Sequence, residues 1–242
     1  LLNYRILLTT KQTMSVQKNI TIEDLTNREL ITPCSNQTFE LTQELSQEIE
    51  EIKDTEIEDL SILQRDEKTS QLIDLCNDDI EFLKKFVPIA RRTDDLSFES
   101  QVTLVFIVDQ FIEPKLKYDG VPNSFLPVRG KHLQTAINLH PQSVVYAWRH
   151  NCDSCNTMKE TLNEVFDSPS SEVGLFAVYG TNCAALLQET FDIEGAPTTL
   201  FCANGNVDSR LMGAQYAQSV ESEVEMIKQR SKSMPDVKTA KN

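Results

Sequence analysis

The sequence predicts an α/β protein, in which a central mixed β-sheet flanked by helices follows an all-α N-terminal region. Three observations predict it. Glycine is absent before Gly120, so the first half lacks glycine-type β-turns and carries helical periodicity instead. Pro114, Pro122, Pro127 and the Asp119-Gly120 pair then break the pattern over residues 114–128, which reads as a linker or irregular loop. Beyond it, short apolar runs of strand length alternate with amphipathic segments of helical length, the order of a layered α/β domain over residues 129–230.

The elements follow in chain order. Residues 1–20 read as an extension without structure, with Met14 opening a stretch that resembles an ordinary protein start. Within the helical region, 21–113, Leu41, Leu45, Ile49 and Ile52 recur at helical steps and share one face, with Glu44, Glu48, Glu50 and Glu51 on the solvated side. The acidic run over 40–59 is that side continued. Asn77 is placed to cap a helix carrying Ile80, Leu83, Phe86 and Val87 inward, which Pro88 and the Arg91-Arg92 pair should bend or end. A third helix is expected over 97–112, with Phe98, Val102, Val105, Phe106 and Val108 mostly buried.

The second half predicts a short helix (131–138), a strand (144–148), a helix (152–166), a strand (173–179) and a helix (184–191). A strand (198–203), the hairpin turn Asn204-Gly205, a return strand (206–211) and a last helix (214–229) follow. Residues 231–242 read as a fraying tail. No internal repeat is visible.

The chain has 242 residues, enough for two domains, and a net charge of −14 at pH 7. That charge argues against nucleic acid and against an anionic membrane surface, since both would repel it. It serves solubility; an acidic surface suited to high salt is a second reading. No apolar run reaches the roughly 18 residues of a membrane helix, and residues 1–13 lack the features of a signal peptide. Of six cysteines, only Cys152 and Cys155 have motif spacing, which points to a reducing, cytoplasmic setting rather than a secreted disulfide scaffold.

A Cys-x-x-Cys at a strand-to-helix junction has a physical logic. The i, i+3 spacing on a first helical turn brings two Cα atoms to the 5–6 Å, roughly, that a disulfide accepts. Free N–H groups and the helix dipole lower the leading thiol's pKa below its usual value of about 8.5. Cys152 is then the attacking thiolate and Cys155 the resolving thiol. The pair admits two other readings, metal ligands or inert residues. A zinc site would have to recruit His150 and Cys183.

The segment VVYAWRHNCDSC at 144–155 resembles the strand and active-site turn of thioredoxins, with Trp148 at the family's first tryptophan. IEGAPTTLF at 193–201 resembles the family's cis-proline segment, Asn204-Gly205 its hairpin turn and Gly213 its late glycine. The resemblance spans about 129–228 and implies a thioredoxin-like fold. It also implies a cis bond before Pro197 and a substrate backbone held by Ala196 and Pro197; Trp148 is a candidate substrate contact but reads first as packing under the site.

The departures are specific. Asn151 stands where the family has a second tryptophan, and Asp153-Ser154 replaces Gly-Pro. The Asp153 carboxylate should oppose ionisation of Cys152 and favour the disulfide, and a protonated His150 would counter it. The family's buried acid and lysine align with Tyr146 and Val178, so its proton relay is missing.

Cys76 and Cys202 read as core, Cys34 as surface, and Cys183 as half-buried or a regulatory thiol; His132 and His140 are expected to face solvent. Function then divides between a thiol-disulfide oxidoreductase without a cofactor and a non-catalytic or redox-sensing interaction protein. The first would act on protein disulfide substrates and be recycled by a reductase. The N-terminal helices would either bind a partner or cover one face of the sheet.

Overall fold

Period-two alternation along the strand Gln142–Trp148 sets the architecture. Val145 and Ala147 point to one side of the sheet, while Val144, Tyr146 and Trp148 point to the other. All six residues from Ser143 to Trp148 are buried, as expected of a central strand covered on both faces. A computed structural model of the chain describes residues 22–34, 39–52, 72–73, 76, 79–112, 119–140, 142–167 and 173–233. The expectations for residues 1–20, Asn77, Pro114 and 234–242 lie outside the described residues.

In chain order the elements are α1 (Ile22–Asn27), β1 (Ile31–Pro33), β2 (Phe39–Leu41), α2 (Gln43–Ile52), α3 (Ile80–Arg92) and α4 (Phe98–Ile112). Then come β3 (Leu126–Val128), a 3₁₀ turn (Gly130–His132), α5 (Leu133–Leu139), β4 (Gln142–Trp148), α6 (Asp153–Val165) and β5 (Gly174–Tyr179). A second 3₁₀ turn (Gly180–Asn182), α7 (Ala184–Phe191), β6 (Thr198–Ala203), β7 (Asn206–Met212) and α8 (Ala217–Ser233) complete the described chain. The five-stranded sheet has the order β3-β5-β4-β6-β7. β3, β5 and β4 run parallel, while β6 and β7 are antiparallel. Asn204 and Gly205 both take positive φ in the β6–β7 turn, which fixes that hairpin.

Two expectations are corrected. The linker reading of 114–128 misses β3, which pairs in parallel with β5 from Leu126↔Phe176 to Val128↔Val178. Pro127 misleads because proline is normally kept out of strands; it is tolerated here because β3 is an edge strand. The N-terminal region is helix-rich but not all-α, since β1 and β2 form a small antiparallel ladder. α3 passes through Pro88 and ends at Arg92, within the Arg91-Arg92 pair expected to bend or end it. Val87, Pro88 and Ile89 are all buried, so apolar packing offsets the lost hydrogen bond.

Packing explains the rest. Ten consecutive residues of α4, Val102 to Phe111, are buried, as in a helix enclosed on all sides. Phe106 packs against Phe82 of α3 with ring centroids 5.1 Å apart and planes tilted by 45°, and meets Phe176 of β5 edge-on at 6.0 Å. One continuous apolar core therefore joins α3 and α4 to α5, α7 and the Val145 face of the sheet. The opposite face carries α6 and α8, Cys152 and Cys155, and Val121 and Phe125 from the segment before β3.

The joint between the two halves also holds charge. Lys85 of α3 pairs with Asp109 of α4, and Arg129 reaches the same carboxylate at 3.5 Å. His132 is fully buried, with Nδ1 2.6 Å from Asp79 and Nε2 3.3 Å from Lys85. Thr135 donates to Asp79, and Asp79 also caps α3 by accepting from the Phe82 N–H. Burial alone would raise the Asp79 pKa, but these donors hold it below the usual carboxylate range.

The solvent-facing expectation for His132 fails because its sequence neighbourhood does not reveal that α3 and α4 fold over it. His140 is also packed, 5.1 Å from Phe176. Burial pushes its pKa down to about 4.

Candidate functional site

β4 ends at Trp148, and the next residues must turn sharply before α6 begins. Asn151 makes that turn with φ 52°, a conformation asparagine tolerates better than most residues. Cys152 is the N-cap of α6, and its Sγ accepts from the Cys155 N–H at 3.2 Å. Sulfur thus takes the place usually held by a serine or aspartate oxygen at a helix start.

The two cysteines form a disulfide with Cα atoms 5.2 Å apart. Cys152 is 6% exposed and Cys155 2%, so any approach comes from the Cys152 side. Ser154 Oγ lies 3.4 Å from Cys152 Sγ. Asp153 is exposed at the first helical position; there it complements the helix dipole and also places negative charge next to Cys152.

The Ala196-Pro197 bond is cis, and the Ala196 carbonyl oxygen lies 3.8 Å from Cys152 Sγ. Pro197 O accepts from the Gly213 N–H at 2.8 Å, and Gly195 O accepts from the Thr198 hydroxyl at 2.7 Å. The loop is therefore pinned between β6 and the end of β7. A cleft of about 300 Å³ opens beside it, lined by Arg149, Gly180, Leu187, Ile193, Gly195 and Ala196 among others.

Beneath the pair, Tyr146 donates its hydroxyl to the Cys155 carbonyl at 2.7 Å. Burial raises the Tyr146 pKa above the ordinary phenol range. Val178 is fully buried and points to the other side of the sheet. The proton-relay positions therefore hold a phenol and an aliphatic side chain.

Trp148 is 2% exposed, and its ring leaves so little room that a Cβ at Gly120 would meet it at 2.0 Å. It packs in the core on the same side of the sheet as the cysteine pair. His150 lies against it at 4.9 Å and against Tyr179 at 4.9 Å.

Sequence reasoning missed Asp119, which faces His150 Nδ1 at 3.2 Å. It also missed Tyr179. Neither carries a motif signal: Asp119 reads as half of a loop dipeptide and Tyr179 as the end of a strand.

The zinc reading is not assembled. Among the described residues no group of three or more His, Cys, Asp or Glu is arranged to hold a metal ion. Cys183 instead turns its thiol to the Tyr179 carbonyl at 3.3 Å. Burial raises its pKa, and the Gly130 N–H partly opposes that rise. Cys76 and Cys202 are buried, and burial pushes each up to about 12. Among the described residues, no helix is long and apolar enough to cross a membrane.

The thioredoxin family model matches residues 124–226. The thioredoxin of Malassezia sympodialis is 22% identical, with coverage of 36% of this chain and 75% of that one and a TM-score of 0.33. Desulfothioredoxin of Desulfovibrio vulgaris Hildenborough, in its reduced form, is 20% identical, with coverage of 36% and 81% and a TM-score of 0.32. The oxidised mitochondrial thioredoxin 3 of Saccharomyces cerevisiae is 14% identical, with coverage of 42% and 94% and a TM-score of 0.38. No curated protein sequence matches the chain.

Proposed function

Because residues 124–226 form a thioredoxin-like domain, we propose that the chain is a thiol-disulfide oxidoreductase acting on protein disulfides. The observation that carries this reading is the Cys152–Cys155 disulfide at the start of α6, with Cys152 Sγ beside the cis Ala196-Pro197 loop. In the reduced state the Cys152 thiolate attacks one sulfur of a client disulfide and expels the other as a thiolate. Cys155 then attacks Cys152 Sγ in the mixed disulfide, releasing the client's second thiolate. The client gains two electrons and the pair becomes a disulfide, which a dithiol reductase in a cytoplasmic setting must reduce again. Ala196 and Pro197 hold the client backbone, and the neighbouring cleft takes one of its side chains. Asp153 and His150 tune the pair in opposite directions.

A second reading has an observation of its own. The positions that match the family's buried acid and lysine hold Tyr146, beneath the pair, and Val178, on the sheet's other face, so neither can take the Cys155 proton. That suits a slow, redox-sensing interaction protein. Insulin reduction by dithiothreitol separates the two readings. The wild type should accelerate it, Cys152→Ser should abolish the acceleration, and Cys155→Ser should accumulate a mixed disulfide. Background rates from all three proteins would exclude the oxidoreductase reading.

A further inference from the structure

His150 is held on three sides. Its Nδ1 faces the Asp119 carboxylate at 3.2 Å. The Trp148 ring stands nearly perpendicular to it, at 87°, and the Tyr179 ring closes the third side. Its Nε2 is buried and meets no hydrogen-bond partner among the described residues. A buried polar atom without a partner is costly and calls for an explanation.

Asp119 is 57% exposed at its side chain, yet its backbone is fixed. Lys159 of α6 donates to the Asp119 carbonyl at 2.8 Å, and Asn163 of α6 accepts from the Asn123 N–H at 2.7 Å. Ser124 donates to the carbonyl of Phe166, the residue that ends α6. The segment holding Asp119 is thus tied to the helix that Cys152 caps. His150 stands two residues before Cys152, so their Cα atoms are no more than about 7 Å apart.

We propose that Asp119 and His150 form a dyad that positions an imidazolium beside Cys152 and so stabilises its thiolate in the reduced state. The inference rests on the exchange reading of the pair. Nδ1–H donated to the carboxylate fixes the tautomer and leaves Nε2 as the basic atom. When the Cys152 S–H ionises, the proton it loses is taken up at Nε2, and the Cys152 thiolate, no longer tied to Cys155, becomes the acceptor that Nε2 lacks in the disulfide state, so both ring nitrogens are donors. Asp119 then faces a cation rather than a neutral ring, which strengthens the dyad when the thiolate forms. The other charged or titratable groups on the surrounding elements are Asp153, Cys155, Lys159, Glu160 and Glu164 of α6, Tyr146 of β4, Tyr179 of β5 and Arg149 on the same turn. Asp153 opposes the thiolate, and the dyad offsets it. His150 and Asp119 are positioning residues, since neither exchanges sulfur.

Alkylation of Cys152 by iodoacetamide in the reduced full chain reads the thiolate without any client. It can be followed by peptide mass from pH 5 to pH 8. At pH 6, His150→Gln should slow Cys152 alkylation about tenfold, the equivalent of one pKa unit. Asp119→Asn, a conservative change at an exposed side chain, should slow it about threefold. The double variant should match His150→Gln alone, because Asp119 acts only through the ring. An unchanged rate in Asp119→Asn, or the same threefold slowing in the His150→Gln background, would overturn the dyad. A chain that fails to reduce insulin but keeps this pattern loses the oxidoreductase reading and retains the dyad.

Discussion

Tyr146 forms the floor of the cysteine pair, and its role follows from what a buried phenol can do. Its hydroxyl donates to the Cys155 carbonyl, and burial keeps it protonated at neutral pH. A donor that stays protonated can hold the helix start in place but cannot take up the resolving proton. Tyr146→Phe should therefore cost about 1 kcal/mol of stability in urea unfolding, one hydrogen bond's worth, and change the rate of exchange with dithiothreitol less than twofold. A tenfold fall in that rate would place the phenol in proton transfer. The same scale explains Cys152 and Cys155. Their spacing alone indicates a disulfide-capable pair, whereas the chemistry around them depends on Tyr146, His150 and Asp119, which come together from separate parts of the chain.

Among the elements, α3 and α4 depend on the buried charges between them. Lys85 and Asp109 are 8% and 5% exposed at their side chains, with Arg129, His132 and Asp79 completing the set. Removing one partner from a buried pair leaves the other uncompensated, at a cost of about 3–5 kcal/mol. Lys85→Ala should lower stability by that order in urea unfolding. Glu48→Ala, which breaks a part-exposed bidentate pair with Arg92, should cost about 1 kcal/mol or less. Equal effects from the two variants would show that the cluster is as solvated as a surface pair. Helix positions were legible in the sequence because apolar periodicity records which face is buried. The charged cluster was not, because Lys85, Asp109 and His132 lie far apart in sequence and meet only once the elements pack.

Taken whole, the molecule joins its two halves through one apolar core. Phe82, Leu104 and Phe106 share it with Val128, Phe176 and Val178, so α3 and α4 cover part of the sheet's second face. This arrangement supports the covering role for the N-terminal helices over a separable partner-binding module. A fragment of residues 119–233 should expose that face and β3, an edge strand. Circular dichroism and sedimentation should find it poorly folded or aggregated. A monomeric fragment that unfolds cooperatively would mean that the helices are an independent module.

The sequence by itself determined the order of most elements, the Cys152–Cys155 pairing and the turn at Asn204-Gly205. These are local properties, carried by periodicity, spacing and the φ preferences of single residues. It also carried the family resemblance that led to Pro197. Only the tertiary structure decided that β3 belongs to the sheet, since an edge strand containing proline has no distinct local pattern. It likewise decided that His132 is buried and that Asp119 faces His150. Each of these depends on a contact between segments distant in sequence. Such contacts are selected by the packing of whole surfaces, which no short window of residues records.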